Sequence, residues 1–262
     1  MSRTPSRPRA DRPAVEDSLR HSLWDGVYYS AMIGSAESYF SAFAVFLKAS
    51  TTQVAMLASL PPLLASFMQI ASAWAGRWLG RRRGIIVSGA LVQAGVLLPL
   101  AVLPLVFPDW SLPILIVCAV VYFAGPNLGS PQWGSLMGDL VPENRRGRFF
   151  ALRTRWSSFA NFSALIAAGL VLEAFDALAS AYFGFLIIFV SAAVFRLASA
   201  WHLHRMDDPP GHVAAVESPW HREVWQGLRS TDLLPFTLFV AAMQFAVAIA
   251  SPFFALYQLR DL

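Results

Sequence analysis

The sequence is poor in charge and nearly free of cysteine. Asp, Glu, Lys and Arg make up only 14% of 262 residues, well below the quarter or so usual in soluble domains. Cys118 is the single cysteine, and it lies inside an apolar run, which excludes a disulfide framework and a clustered Cys/His metal site. A nucleophile elbow, a metal-binding helix motif and a phosphate loop are all missing, so no enzyme and no cofactor are expected. The basic residues form no stripe with interleaved aromatics. The formal charge of +4 and pI near 9.6 therefore do not point to nucleic acid.

What is present is apolar surface. Hydrophobic residues are 56% of the chain and mean hydropathy is +0.51, the composition of an integral membrane protein. A spanning helix needs about 20 mostly apolar residues. The apolar runs are continuous rather than alternating, which selects helices over barrel strands. Seven spans are expected, over about Leu23–Leu47, Val54–Ala75, Ile85–Phe107, Leu112–Leu136, Phe149–Leu172, Leu178–Ala200 and Leu233–Tyr257.

Ahead of the first span, residues 1–20 mix Arg3, Arg7, Arg9, Arg12 and Arg20 with prolines and read as a disordered tail. The following run is too long, and too free of a small-residue cleavage site, for a signal peptide. Residues 201–232 form the one long polar loop, a linker carrying His202 and His204. Within it, Trp220, Val224 and Leu228 share one face from Ser218 onward. That stretch is either an amphipathic helix on the membrane surface or a solvated linker.

Arginine alternates between successive loops. One side holds Arg77, Arg81, Arg82 and Arg83, then Arg145, Arg146, Arg148, Arg153 and Arg155, then Arg205, Arg222 and Arg229, while the other side is nearly bare. The positive-inside rule puts the N-terminus in the cytoplasm and Leu262 outside. A seven-helix receptor of the usual kind has the opposite N-terminal placement.

Two loop motifs resemble those of the major facilitator superfamily. After the second span, Gly80-Arg81-Arg82 matches the last three positions of that family's Gly-x-Leu-Ala-Asp-Arg-x-Gly-Arg-Arg turn, with Arg77 where its aspartate would stand. After the fourth span, Asp139-Leu140-Val141-Pro142 with Arg146-Gly147-Arg148 is similar to the family's acidic-x-x-Pro and Arg-Gly-Arg loop, and with Pro131-Gln132-Trp133 it resembles a bacterial branch. The resemblance runs from about Leu19 onward. It implies a six-helix bundle of two three-helix repeats over residues 21–200, with residues 233–262 as a seventh transmembrane helix that begins a C-terminal half.

That resemblance implies secondary active transport of a small solute across the cytoplasmic membrane, with a proton as candidate coupling ion. The fifth-helix Gly-Pro pattern of antiporters and the fourth-helix arginine of proton-coupled members are both missing, so the mode of coupling is left open. An odd number of spans does not complete two six-helix halves. The expectation is a truncated chain whose partner is the missing C-terminal half or a second copy. A membrane scaffold or sensor derived from such a bundle is the alternative.

Ionisable groups at membrane depth are functional candidates by default. Glu37 shares a first-helix face with Gly26, Ser30, Gly34 and Ser41, and reads as a coupling or substrate-contacting residue or as a hydrogen-bonded structural acid. Gln69, Gln93, Asn127, Gln132, Asn161 and Gln244 are amides within spans, most of them explained by interhelical hydrogen bonding. The resemblance places helices one, two, four, five and seven around a central cavity, which favours Gln69, Asn127, Asn161 and Gln244 over Gln93. Trp133 and Tyr39 could stack on a ligand or sit at the membrane interface. Arg196 is expected to snorkel to the headgroups.

Asp139 is expected to pair with Arg146, Arg148 or the Arg81 to Arg83 cluster as a cytoplasmic latch. Alternatively the arginines only orient the helices and bind anionic lipid. Gly80 and Gly147 fit tight turns in either case.

Overall fold

The computed structural model describes residues 12–209 and 234–247. The chain divides into two units, Met1–Val213 and Ala214–Leu262. The first is an all-helical bundle of α1 (Arg12–Ser35), α2 (Phe40–Phe46), α3 (Thr51–Leu79), α4 (Arg82–Val106), α5 (Ser111–Leu140), α6 (Arg146–Ala177) and α7 (Ala181–Arg205). Of the second, α8 (Leu234–Val247) is described, a single apolar helix with exposed side chains. No strand occurs among the described residues.

Five described helices are long and apolar enough to cross a membrane, and they are those of α3 to α7. Their limits follow local chemistry. Ser50 starts α3 with a capping box: its hydroxyl accepts from the Gln53 amide at 3.3 Å, and the Gln53 side-chain oxygen accepts from the Ser50 amide at 2.8 Å. Gly80 ends the same helix at φ 60°, a left-handed conformation that favours glycine. Proline pairs inside α3, α4 and α5 (Pro61 and Pro62, Pro99 and Pro104, Pro126 and Pro131) leave these helices continuous.

The first expected span is not one helix. It breaks after Ser35, passes through a single 3-10 turn at Glu37–Tyr39 and resumes as α2. The Ser35 hydroxyl donates back to the Ala31 and Met32 carbonyls at 2.9 and 3.2 Å, a local bond that competes with the helix ladder. Glu37 therefore sits in the interruption rather than on a continuous helical face.

The tail also needs correction, because α1 begins at Arg12. Ser18 and Ser22 are buried. The Ser18 hydroxyl accepts from the Asp207 amide at 3.0 Å, and the Ser22 hydroxyl donates to the Met137 sulfur at 3.4 Å. These polar contacts, with Leu19 packed against the core cluster of Ile86, Leu136 and Leu203, hold the start of α1 to the bundle; residues 1–11 lie outside the described residues. At the other limit α7 runs through Arg205, so residues 201–205 are helix rather than linker. The amphipathic stretch from Ser218 and the part of the seventh span beyond Val247 also lie outside the described residues.

Packing inside the bundle pairs the helices in a symmetric way. α5 packs on α3 and α4 as α1 packs on α6 and α7, and α4 packs on α7. Exchanging α1 with α5, α3 with α6 and α4 with α7 reproduces the same contacts, as two three-helix repeats would. The α4–α5 contact is a close backbone approach: Gly89 and Gly125 face each other, and a methyl added to either would run into the other's carbonyl oxygen. Small residues permit such approach where lipid supplies no hydrophobic drive. Phe40, Phe43, Tyr122, Phe185 and Phe189 fill the opposite end of the core. On α6, Trp156, Phe159, Phe162, Ile166 and Leu170 remain exposed, a face suited to lipid or another helix.

Gly89→Leu should lower the detergent-solubilised thermal midpoint, at an overpacking cost of about 1–3 kcal/mol. Gly95→Leu, on the same helix with open space at its Cα, should not. Equal stability of the two variants would contradict the close α4–α5 contact.

Candidate functional site

Polar residues recur along α1 at helical spacing, and Ser18, Ser22 and Asp25 with Tyr29, Met32 and Ala36 form one inward face. Asp25 is the charge on that face and is 4% exposed. One of its carboxylate oxygens accepts from the Arg153 guanidinium at 3.0 Å, and the other accepts from the Ser199 hydroxyl at 2.7 Å. Ser199 in turn accepts from Arg196 at 2.7 Å. The network joins α1, α6 and α7.

Both arginines are also stacked. The Arg153 guanidinium lies 4.6 Å from the centre of the Trp133 ring, and the Arg196 guanidinium lies 4.6 Å from that of Tyr29. A cavity of about 210 Å³ opens among Asp25, Tyr29, Trp133, Arg153 and Arg196, with the small residues Gly125, Gly129 and Ser130 of α5 on its wall. Arg196 is 4% exposed. It does not snorkel to the headgroups, because Ser199 and the Tyr29 ring hold it inside the bundle.

Glu37, at the α1 break, accepts a hydrogen bond from the Tyr122 hydroxyl of α5 at 3.1 Å. Tyr122 is fully buried and packs edge-on against Phe40. Of the stripe expected beside Glu37, Gly26 and Gly34 are buried where α1 meets α6, Ser30 is half-buried and Ser41 is exposed. At Gly34 the contact is with the backbone of Asn161.

The amides separate into distinct roles. Gln69 of α3 donates to the Asn127 side chain of α5 at 2.8 Å, and Asn127 donates to the Phe123 carbonyl at 2.8 Å. Gln132 is buried and donates to the Ser72 carbonyl at 2.9 Å, a bond that ties α5 to α3. Asn161 buries a side-chain oxygen that has no partner among the described residues. Gln93 buries both polar atoms in the same condition, next to the Gly89–Gly125 contact. Gln244 is exposed on α8. Tyr39 donates to the Leu165 carbonyl at 2.7 Å, and Trp133 lines the cavity.

At the end of the bundle that carries Gly80, Arg82 is the organising cation, 5% exposed. It donates to Asp139 at 2.6 Å, to Ser135 at 3.1 Å and to Asp208 at 3.2 Å. The amide of Arg83 donates to the second Asp208 oxygen at 3.0 Å, and its side chain donates to the Met206 carbonyl at 3.0 Å. This clasp connects α4, α5 and the segment after α7 within one bundle. Arg146 caps the Gly138 and Val141 carbonyls at 2.8 and 3.3 Å instead of pairing with Asp139. Arg81 and Arg148 are exposed. Gly147 is the second residue of α6 rather than a turn, and Gly80 is the one described glycine with positive φ.

Sequence reading missed Asp25, Arg153 and Arg196 as a unit. It counted Glu37 as the acid of the first span and left Arg153 among the loop arginines. The available signal was the Ser18, Ser22, Asp25, Tyr29 spacing on α1, which marks a polar face that must turn inward.

A bundle of this kind, with apolar helices outside and ion pairs and amides within, defines a polytopic helical membrane protein. The sequence model of the Major Facilitator Superfamily matches residues 27–262. The chain belongs to that superfamily, a family of membrane transporters whose members are generally not enzymes. A search of curated proteins finds no match.

Arg82→Gln should destabilise the protein by about 3 kcal/mol or more, since it removes a buried guanidinium that bridges Asp139 and Asp208. Arg81→Gln should stay within about 0.5 kcal/mol, as surface substitutions do. Unfolding of both variants in the same detergent checks this, and a similar loss for both would contradict the clasp.

Proposed function

We propose that the protein is a secondary active transporter that moves a small solute across the cytoplasmic membrane by alternating access, with Glu37 as its proton-coupling residue. The observation that carries this reading is the position of Glu37 in the break between α1 and α2, where it accepts from Tyr122. Interrupted helices that expose polar groups at membrane depth are a recurring feature of transporter sites. A carboxyl there can be charged while water reaches it and neutral when enclosed, and the Tyr122 hydroxyl is placed to stabilise the charged form. Gln69 and Asn127, already joined across α3 and α5, are the proposed solute contacts on the same bundle. Asn161, Gln132 and Trp133 are supporting residues, and Gln244 on α8 is a further proposed contact.

The arginine-rich end, with Arg82, Arg83 and Arg146 engaged and Arg81 and Arg148 free to meet anionic lipid, is assigned to the cytoplasm. The start of α1 then lies inside. The Arg82 clasp fixes the ends of α4, α5 and α7 so that the bundle moves as one body.

Proteoliposomes loaded at alkaline pH and placed in acidic buffer with a panel of labelled sugars, amino acids and organic anions test the reading. At least one solute should accumulate, accumulation should collapse with a protonophore, and Glu37→Gln should abolish it while solute exchange persists. Accumulation by Glu37→Gln with undiminished proton dependence would overturn the coupling role.

A further inference from the structure

We propose that the cavity between α1, α5, α6 and α7 is a binding site for a small monocarboxylate, held by Arg196 and Trp133. The first argument is charge. Arg153 and Arg196 both line the cavity and Asp25 is the acid on its wall. Asp25 is fully engaged, one oxygen on Arg153 and the other on Ser199. Glu37, the other acid inside the bundle, does not line the cavity, so the lining carries two guanidiniums and one carboxylate. One positive charge is left over, on a guanidinium only 4% exposed, and a charge in such a place requires a counter-charge.

The second argument is hydrogen bonding. Among the described residues Arg196 Nε and Trp133 Nε1 are buried without a partner, and both can only donate. Ser157 Oγ is in the same condition and packs beside Arg153 against Gly26. Buried polar atoms are nearly always paired, so donors left over in one place indicate an acceptor that comes from elsewhere. A surplus of one positive charge selects a monoanion. Two N–H donors on separate planar groups suit the two oxygens of a carboxylate, and the Trp133 and Tyr29 rings supply flat walls for its apolar part.

The proposal does not depend on transport, because binding is read on the resting protein. Full-length protein in neutral phosphatidylcholine nanodiscs is titrated with acetate and benzoate, and with acetamide and benzamide as uncharged isosteres. Thermal midpoint and tryptophan fluorescence are followed. The carboxylates should give a saturable stabilisation that the amides do not. Trp133→Phe, which keeps the ring under Arg153 and removes the N–H, should weaken it about tenfold or more, the loss of one hydrogen bond to a charged group. Arg196→Lys should do the same, and if that variant does not fold Trp133→Phe decides.

Equal responses to carboxylate and amide, or wild-type affinity in Trp133→Phe, would overturn the proposal. So would an identical shift with sodium chloride, which would make the occupant any small anion. Loss of the benzoate response when phosphatidylglycerol is added to the discs would overturn it too, since the occupant would then be a lipid headgroup.

Discussion

Hydrocarbon offers no water to a buried charge, and Asp25, Arg153 and Arg196 answer that cost by meeting one another between α1, α6 and α7. Each ion is useful only where the others stand. The carboxylate needs Arg153 on one oxygen and Ser199 on the other, Ser199 needs Arg196, and each guanidinium rests on an aromatic ring. The position of α1 against α6 and α7 is therefore fixed by groups that tolerate little displacement.

The remaining packing is arranged around this requirement. Glycine at 26 and 34 lets α1 lie close to Arg153, Ser157 and Asn161 of α6. Gly89 and Gly125 do the same for α4 and α5, which the Arg82–Asp139 ion pair also joins. Both helix groups, α1 with α6 and α7 and α5 with α3 and α4, thus combine an ion pair with close backbone approach, and the helices pair in the same pattern. The Arg82 clasp closes the end where the helices α4, α5 and α7 finish or start. Glu37 lies towards the opposite end, at the break between α1 and α2, apart from both the clasp and the Asp25 network.

Much of the bundle was legible in the sequence because continuous apolar runs and their Gly, Pro and Arg boundaries are set by the thickness of hydrocarbon. Helices α3 to α7 run through the spans so read, extended by several residues at most ends. The break at Ser35 was not legible, since a serine bonding back to its own helix has the same composition as one facing a neighbour. Arg153 was read with the loop arginines and Arg196 as reaching for headgroups, because a long side chain near a helix end can reach outward to headgroups or inward to an acid. Asp139 had several candidate partners in the sequence. Helix phase decides among them: Arg82 shares the buried face of α4 with Ile85, Ile86 and Gly89, whereas Arg81 precedes the helix. The start of α1 was misread as tail because residues 12–20 offer little apolar surface besides Leu19, and the bond from the Asp207 amide to Ser18 cannot be read from composition.

The most direct measurement is a double-mutant cycle on Asp25 and Arg153, with Asp25→Asn, Arg153→Gln and the double variant unfolded in one detergent. If the ion pair anchors α1 to α6, each single change costs about 3–5 kcal/mol and the double variant recovers a large part of the loss. Additive losses, with coupling near zero, would mean that the two charges are independent and that something else holds the bundle together.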